Sequence, residues 1–176
     1  MKMQIDQKTL DFVASYELPA YHEIPDVGLY LNQCAKYING YLEPLLGVAI
    51  TESMISNYVK KKYISNPQKK QYSREQIAYL IFIAATKGVA SLDDLQSLME
   101  RQKKDFAIEE SYEYFRTQFV SIFHYVFGLK ETMEREASEC LEKVLLENLI
   151  VTLAHKSYLD MAFRLLSSGK EKSREE

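Results

Sequence analysis

The stretch ITESMISNYVKKKYISNPQKKQYSREQIAYL, residues 50–80, combines helix-forming patterns with a local concentration of positive charge. Between Ser53 and Arg74 there are six Lys or Arg side chains and no Asp or Glu. The whole chain has a formal net charge of −3, so the residues outside 53–74 sum to −9. Because the positive charge is local, it marks one surface of the protein rather than its general composition. We call residues 53–74 the basic segment.

A short helix is predicted to begin after Thr51, because a threonine side chain is a suitable helix N-cap. At 100° per residue, the side chains of this helix separate into two faces. The face suited to packing carries Met54, Ile55, Tyr58 and Val59. The opposite face carries Ser53, Ser56, Asn57 and Lys60. Hydroxyl, amide and ammonium groups of this kind hydrogen-bond base edges and phosphates in a DNA major groove.

The flanking sequence predicts more helices and one exposed connector. A helix over about residues 29–43 is placed to brace the basic helix in the helix-turn-helix manner. Ser73 with Gln76, and Ser91 with Asp94, are start signals for two further helices. After the basic helix, the connector NPQKKQYSR (residues 66–74) carries three cations, which suits a wing that lies on the sugar-phosphate backbone.

Three stretches carry a resemblance to known families. ITESMISNYVKKKYI (residues 50–64) followed by KKQYSREQIAYLIFIAATKGVASLDDLQSLM (69–99) resembles the DNA-binding domain of MerR-type regulators. The first of these, together with LPAYHEIPDVGLYLNQ (18–33), is similar to a bacterial family of domains of unknown function, the family numbered eighteen thirty-six. The resemblance covers about residues 18–99. It implies a MerR-like winged helix-turn-helix fold and sequence-specific binding of double-stranded DNA by a homodimer.

The MerR resemblance assigns places to individual residues. Ile55 and Tyr58 take the places of the leucine and the second tyrosine of the recognition helix. Lys70 stands where the wing supplies an arginine that contacts the DNA backbone, and Tyr72 with Ser73 matches the pair that ends the wing.

Three positions depart from the MerR pattern. Ser56 and Asn57 stand where an arginine and a tyrosine are usual, and Lys62 stands where a glycine ends the helix. The resemblance therefore leaves the target DNA sequence undefined. The residues and the resemblance together predict DNA contacts through two groups. The residues predicted to face the groove are Ser53, Ser56, Asn57 and Lys60, together with Thr51 at the start of the helix. Those contacting phosphates are Lys61, Lys69, Lys70, Tyr72 and Arg74.

Other kinds of site find little support in the sequence. The two cysteines, Cys34 and Cys140, are far apart and have no second Cys or His beside them, so we predict no metal centre and no metal sensing. His22, His124 and His155 are scattered, and no phosphate-binding loop, nucleophile motif or dinucleotide fingerprint is present. We therefore predict a protein that is not an enzyme and binds no cofactor.

The C-terminal part is rich in aromatic residues, which invites two interpretations. At helical spacing they are typical of a core or dimer interface, and the second interpretation is the lining of a small-molecule effector pocket. The residues concerned are Tyr112, Tyr114, Phe115, Phe119, Phe123, Tyr125 and Phe127.

The predicted fold class is mainly all-α. A MerR-like winged helix-turn-helix with a small wing is followed by a C-terminal helical bundle or dimerisation region. The predicted segments are an N-terminal extension (1–28), a DNA-binding domain (29–103), a helical dimerisation or effector region (104–168) and a flexible tail (169–176). The longest apolar run, Ala78 to Ala85, is far shorter than the roughly 20 residues of a membrane span. We expect a cytoplasmic protein without a membrane partner.

The leading functional interpretation is a transcriptional regulator, with repression as the expected effect. The alternative is a helical protein–protein interaction module whose basic face docks an acidic partner. The overall acidity of the chain, with a pI of about 5.7, usually argues against nucleic acid as a partner. Screening reduces this objection, because at about 0.15 M salt the Debye length is only about 8 Å, so a phosphate interacts mainly with the nearest face.

Overall fold

Helices dominate the computed structural model, which describes residues 5–133 and 140–172. The prediction of a mainly helical protein is therefore confirmed. None of the helices in these residues combines the length and the apolar composition that crossing a bilayer requires. In chain order the elements are α1 (Gln7–Ser15), β1 (Leu29–Tyr30), α2 (Leu31–Leu46), α3 (Glu52–Lys60), β2 (Gln71–Tyr72), α4 (Arg74–Thr86), α5 (Leu92–Asp105), α6 (Ile108–Val126) and α7 (Leu141–Lys172).

Helix α4 lies at the centre of the fold. From Gln76 to Thr86, Tyr79 alone keeps partial exposure. Helices α2, α5, α6 and α7 all pack against α4, so its apolar residues on every side are covered. The predicted capping box at its start is confirmed, because the Ser73 hydroxyl accepts a hydrogen bond from the Gln76 N–H at 3.3 Å. In return, the Gln76 side-chain oxygen accepts one from the Ser73 N–H at 2.9 Å.

A column of aromatic rings on α6 forms much of the remaining core. Phe115, Phe119, Phe123 and Phe127 follow one another, with ring centroids 5.7, 4.4 and 6.1 Å apart. All four are buried, whereas Tyr125 on the other side of the helix is 39% exposed. For these four rings, the interpretation of the C-terminal aromatics as core is confirmed.

The N-terminal part contains a helix that the sequence analysis did not predict. Helix α1 begins after Asp6, whose carboxylate accepts a hydrogen bond from the Thr9 N–H at 2.9 Å. It buries Val13, and beyond its end the Tyr16 hydroxyl donates a hydrogen bond to the Tyr41 carbonyl at 2.8 Å. The predicted extension is thus folded onto α2 and α6 rather than separate from them.

One hydrophobic core runs from Ile5 to Ala154. The three segments predicted as residues 1–28, 29–103 and 104–168 all contribute side chains to it. Helix α7 continues through Lys172 and therefore into the first part of the segment predicted as a flexible tail, residues 169–176. Residues 173–176 lie outside the described residues.

A small antiparallel sheet connects the start of α2 with the end of the basic segment. Leu29 pairs with Tyr72 and Tyr30 pairs with Gln71. The chain enters β1 through Gly28, which has a φ of +82°. A Cβ atom on Gly28 would lie 3.0 Å from the Gln71 Cβ, so the close approach of the two strands requires a glycine here. Strands of two residues have no alternation, and no sequence pattern predicted them.

Candidate nucleic-acid interface

The two faces predicted for the basic helix are present in α3. Its N-cap is Thr51, whose hydroxyl accepts a hydrogen bond from the Met54 N–H at 3.2 Å. Ile55 is fully buried and Tyr58 is 3% exposed, while Met54 and Val59 are half-buried against the core. The residues on the opposite face are all exposed, namely Ser53, Ser56, Asn57 and Lys60. The predicted separation into a packing face and an outward face is confirmed.

The turn between α2 and α3 is held by a side chain that the sequence analysis missed. The Asn39 amide nitrogen donates a hydrogen bond to the Ile50 carbonyl at 2.9 Å. Its amide oxygen accepts one from the Ile50 N–H at 2.8 Å. Asn39 thereby satisfies both backbone groups of a residue whose side chain is buried, and it fixes the angle at which the chain enters α3.

A lysine from the central helix supports the same turn. The Lys87 ammonium group, just after α4, donates a hydrogen bond to the Ala49 carbonyl at 3.2 Å and lies 3.7 Å from the Met54 sulfur. Partial burial lowers the pKa of Lys87. The turn is therefore attached to α2 through Asn39 and to the end of α4 through Lys87.

The C-terminal end of α3 adopts a Schellman motif. The Tyr63 N–H donates to the Tyr58 carbonyl at 2.9 Å, and the Lys62 N–H donates to the Val59 carbonyl at 3.0 Å. Lys62 occupies the left-handed position of this motif, with a φ of +64°. The Tyr63 hydroxyl then donates a hydrogen bond to the Asp93 carboxylate at 2.6 Å, which joins the end of α3 to α5.

The connector between α3 and α4 forms a tight hairpin turn. The Gln68 N–H donates to the Gln71 carbonyl at 3.1 Å, and the Gln71 N–H donates to the Gln68 carbonyl at 2.8 Å. Lys69 and Lys70 occupy the two central positions, with φ angles of +48° and +65°. Positive φ at both positions is the signature of a type I′ turn, which normally selects Asn and Gly. The predicted wing is thus a two-residue turn with a lysine at each position.

Three residues of the described chain other than glycine have positive φ, and all three are lysines of the basic segment. A residue with a Cβ pays roughly 1–2 kcal/mol for the left-handed conformation. Such strain persists where the surrounding structure determines the backbone, and it is concentrated at functional sites. Charge and backbone strain therefore coincide at Lys62, Lys69 and Lys70.

The lysines of the basic segment are exposed and carry uncompensated charge. Within residues 5–133 and 140–172, the ion pairs connect other residues, and none involves a lysine of this segment. Five ammonium groups are consequently presented to solvent from the end of α3 and from the hairpin turn, those of Lys60, Lys61, Lys62, Lys69 and Lys70.

Tyr72 does not lie at the surface as expected. It is 4% exposed and packs in the core beneath the small sheet. Burial raises the pKa of Tyr72. The prediction that Tyr72 contacts a phosphate is wrong, because the β1 pairing turns its side chain inward. Ser73 caps α4 as described above and, unlike Tyr72, it remains exposed.

Arg74 is also engaged inside the protein. Its Nε donates a hydrogen bond to the Ile24 carbonyl at 2.7 Å, and its Nη2 donates to the His22 carbonyl at 3.2 Å. The Asp26 carboxylate lies 3.7 Å away, and the Tyr21 ring lies 5.7 Å from the guanidinium carbon. Arg74 therefore holds the loop before β1, and we exclude it from the candidate DNA contacts.

Of the ten predicted contact residues, eight remain on the surface. Thr51, Ser53, Ser56, Asn57 and Lys60 belong to α3 or its cap, while Lys61 follows α3 and the lysine pair forms the hairpin turn. No group of three or more His, Cys, Asp or Glu side chains in the described residues is arranged to hold a metal ion. Burial raises the pKa of the Cys34 thiol to about 12, which makes a buried, unreactive thiol.

A comparison with protein families identifies the matched part of the chain. A family model described as "Domain of unknown function (DUF1836)" matches residues 19–115, more than half of the chain. The matched residues include both strands, α2 to α5 and the first part of α6, and therefore the whole candidate interface. No curated protein and no solved structure matches the chain.

The hydrogen bonds of Asn39 lead to a stability prediction. Asn39→Ala leaves the Ile50 N–H and carbonyl without their partner, so we expect the free energy of unfolding to fall by about 1–3 kcal/mol. Urea denaturation followed by circular dichroism measures this loss. The matched control is Asn32→Ala, an exposed asparagine on the same helix, for which a change within about 0.5 kcal/mol is expected. Equal stability of the two variants would contradict the proposed role of Asn39.

The hairpin turn leads to a prediction of opposite sign. Lys69→Asn combined with Lys70→Gly places the residues preferred in a type I′ turn, so we expect the free energy of unfolding to rise by about 1–2 kcal/mol. Lys69→Ala combined with Lys70→Ala is the control, because alanine keeps the Cβ atoms and hence the strain. If the Asn-Gly variant is no more stable than the alanine variant in urea denaturation, the two lysines are not held at positive φ.

Proposed function

The chain belongs to the DUF1836 family of domains of unknown function, and we propose that it is a sequence-specific regulator of transcription that binds double-stranded DNA as a homodimer. The observation that carries this proposal is a set of five exposed lysines beside an outward polar face of α3, none of which has an ion-pair partner among the described residues. Phosphates are the partners that such a set of cations selects, because binding releases the counterions condensed on DNA.

The arrangement of α2, α3 and the hairpin supports a winged helix-turn-helix mode of binding similar to that of MerR-type regulators. In this mode α3 enters the major groove, which is about 12 Å wide and accepts one α-helix. Asn57, Ser53, Ser56 and Lys60 face the base edges, and Thr51 lies at the entry of the helix. An asparagine pairs with adenine through two hydrogen bonds, so Asn57 is the residue assigned to base recognition.

The hairpin turn supplies the second group of contacts. Lys69 and Lys70 project from a backbone whose two φ angles are already positive, so binding does not require the chain to order a flexible loop. Lys61 extends the same positive surface at the end of α3. These cations set affinity and register on the duplex, whereas discrimination among sequences depends on α3.

Helix α3 is held by three contacts, and this favours sequence-specific recognition of DNA over binding that depends on charge alone. Asn39 and Lys87 hold the turn before the helix, and Tyr63 attaches its end to α5. A reading helix held in one orientation can distinguish bases, because hydrogen bonds to base edges depend on geometry. We assign repression as the regulatory effect, since a protein bound across a promoter excludes other proteins from it. A surface that only docks an acidic protein has no need of this fixed geometry.

The first test is selection of fragmented genomic DNA by the purified protein at about 0.15 M salt, followed by sequencing of the bound pool. We expect enrichment of a shared motif, with two-fold symmetry if the binding unit is a dimer. A bound pool identical to the input rejects sequence-specific recognition and leaves docking of an acidic protein as the function of the basic face.

The hairpin lysines lead to a prediction about affinity. Lys69→Ala with Lys70→Ala should weaken binding to all DNA sequences and lower the slope of log K against log salt by about 2, since each phosphate contact contributes about 0.9. Fluorescence anisotropy at several salt concentrations measures both quantities. Lys8→Ala with Lys104→Ala removes the same charge from exposed positions on α1 and α5, and should leave the slope unchanged. Identical slopes for the two double variants would remove the wing from the proposal.

Asn57 leads to a prediction about specificity. Asn57→Ala should relax the preference at one or two base pairs, at a cost of about 1–3 kcal/mol for the preferred site. Competition between single-base variants of the selected site measures the change. Ser97→Ala, a change at an exposed polar residue on α5, should leave every preference intact. A uniform loss of affinity with unchanged preferences would show that Asn57 does not read bases.

A further inference from the structure

Helix α7 presents an apolar surface that is exposed among the residues the structure describes. The helix has 32 residues and is therefore about 48 Å long at 1.5 Å per residue. Its inner face carries Leu146, Ile150, Leu153 and Ala154, which are buried. On the opposite side, five large apolar side chains are 46% to 62% exposed: Leu141, Leu145, Leu159, Phe163 and Leu166.

These exposed residues form a stripe with the spacing of a coiled-coil seam. Together with the exposed polar residues Asn148, Thr152 and His155, they recur at intervals of three and four along α7. An average spacing near 3.5 residues keeps one face of a helix against a second helix. The large apolar side chains of the stripe form two exposed clusters, residues 141 and 145 near one end and residues 159, 163 and 166 near the other, with the polar residues between them. Exposed apolar clusters on one face are typical of a surface that a partner covers, and a partner that covers both clusters must run along the whole stripe.

We infer that the partner is α7 of a second copy of this chain, packed antiparallel along this stripe. The stripe is close to symmetric about a point between Thr152 and His155, with two leucines on one side and Leu159, Phe163 and Leu166 on the other. An antiparallel pair related by a two-fold axis through that point places Leu141 against the second copy's Leu166, and Asn148 against its Leu159. A two-fold interface needs such a self-complementary surface.

The charges near the stripe permit two copies to approach. The stripe has no acidic residue, and the flanking Lys156 already forms an ion pair with Asp160 at 2.7 Å. The polar residues lie at the centre, where Thr152 faces His155 of the second copy and Asn148 faces its Leu159. That arrangement also opposes the two helix macrodipoles, whereas a parallel pair would align them.

This inference deepens the proposed dimeric regulator by naming its interface. Two copies joined in this way carry two α3 helices related by a two-fold axis, which matches a DNA site with two symmetric halves. Dimerisation through α7 does not itself require DNA, so it is tested on the protein alone. A failure of the interface is then distinct from a failure of DNA recognition.

Sedimentation equilibrium of the full chain is the decisive measurement. We expect a mass of twice 20.5 kDa for the unaltered protein. Leu159→Glu with Phe163→Glu should raise the dimer dissociation constant by at least about 100-fold, because the carboxylates would be buried in an apolar seam. Both side chains are exposed in a single chain, so the fold should persist, which circular dichroism checks. Leu145→Glu is a second variant of the same kind.

The matched control is Val27→Glu, which adds a charge at an apolar residue that is 80% exposed and lies away from α7. It should remain a dimer. A single-chain mass for the unaltered protein would overturn the inference, and so would a dimer of normal strength for a folded Leu159→Glu, Phe163→Glu variant.

Cysteine cross-linking tests the orientation of the two helices. In a Cys140→Ser background, a mixture of Asn148→Cys and Leu159→Cys chains should form a disulfide-linked heterodimer under mild oxidation. Asn148→Cys alone should not cross-link, because an antiparallel pair separates the two copies of residue 148 by 11 residues, or about 16 Å along the helix. Cross-linking of Asn148→Cys to itself, without the mixed product, would overturn the antiparallel arrangement.

Discussion

The burial of α4 on all sides is the constraint on which the rest of this structure depends. A helix that is apolar all round has no face for water, so other elements must enclose it. Helices α2, α5, α6 and α7 do so, and residues from the N-terminal loop to α7 thereby share one core. The basic segment spans from α3 to the start of this helix. Its position is therefore determined by α4, through the Ser73 cap at one end and Lys87 at the other.

The helices were largely predictable because their signals are local. Ser73 and Ser91 each form, with a residue three positions later, a pattern that predicts the start of a helix. The two faces of α3 follow from the periodicity alone. The hydrogen bonds of Asn39 could not be predicted. They join α2 to the turn before α3, and no local sequence pattern indicates how these two parts of the chain are oriented. The strands β1 and β2 are too short to show a periodicity, so the inward orientation of the Tyr72 side chain could not be predicted either.

Arg74 illustrates a different limit. An arginine in a run of cations is compatible with a phosphate contact and equally with an internal clamp, and the choice depends on what lies within reach of its guanidinium. Here the carbonyls of His22 and Ile24 lie within reach. These residues precede Arg74 by about fifty positions, and the local charge pattern cannot predict a contact between residues so far apart in the sequence. The outward residues of α3 were easier to predict, because their side chains are exposed and the helical periodicity alone determines which way they face.

The pairing of β1 with β2 has a consequence for how the protein folds. Helices form from neighbouring residues and can appear early, but Tyr30 meets Gln71 only after the intervening chain has closed into a loop. Such non-local contacts cost entropy before they contribute stability, so the β1–β2 pairing forms late in folding. The turn at Lys69 and Lys70 is closed by hydrogen bonds between near neighbours, but this pairing holds it against the start of α2. The basic surface thus reaches its final arrangement only in a chain that has finished folding.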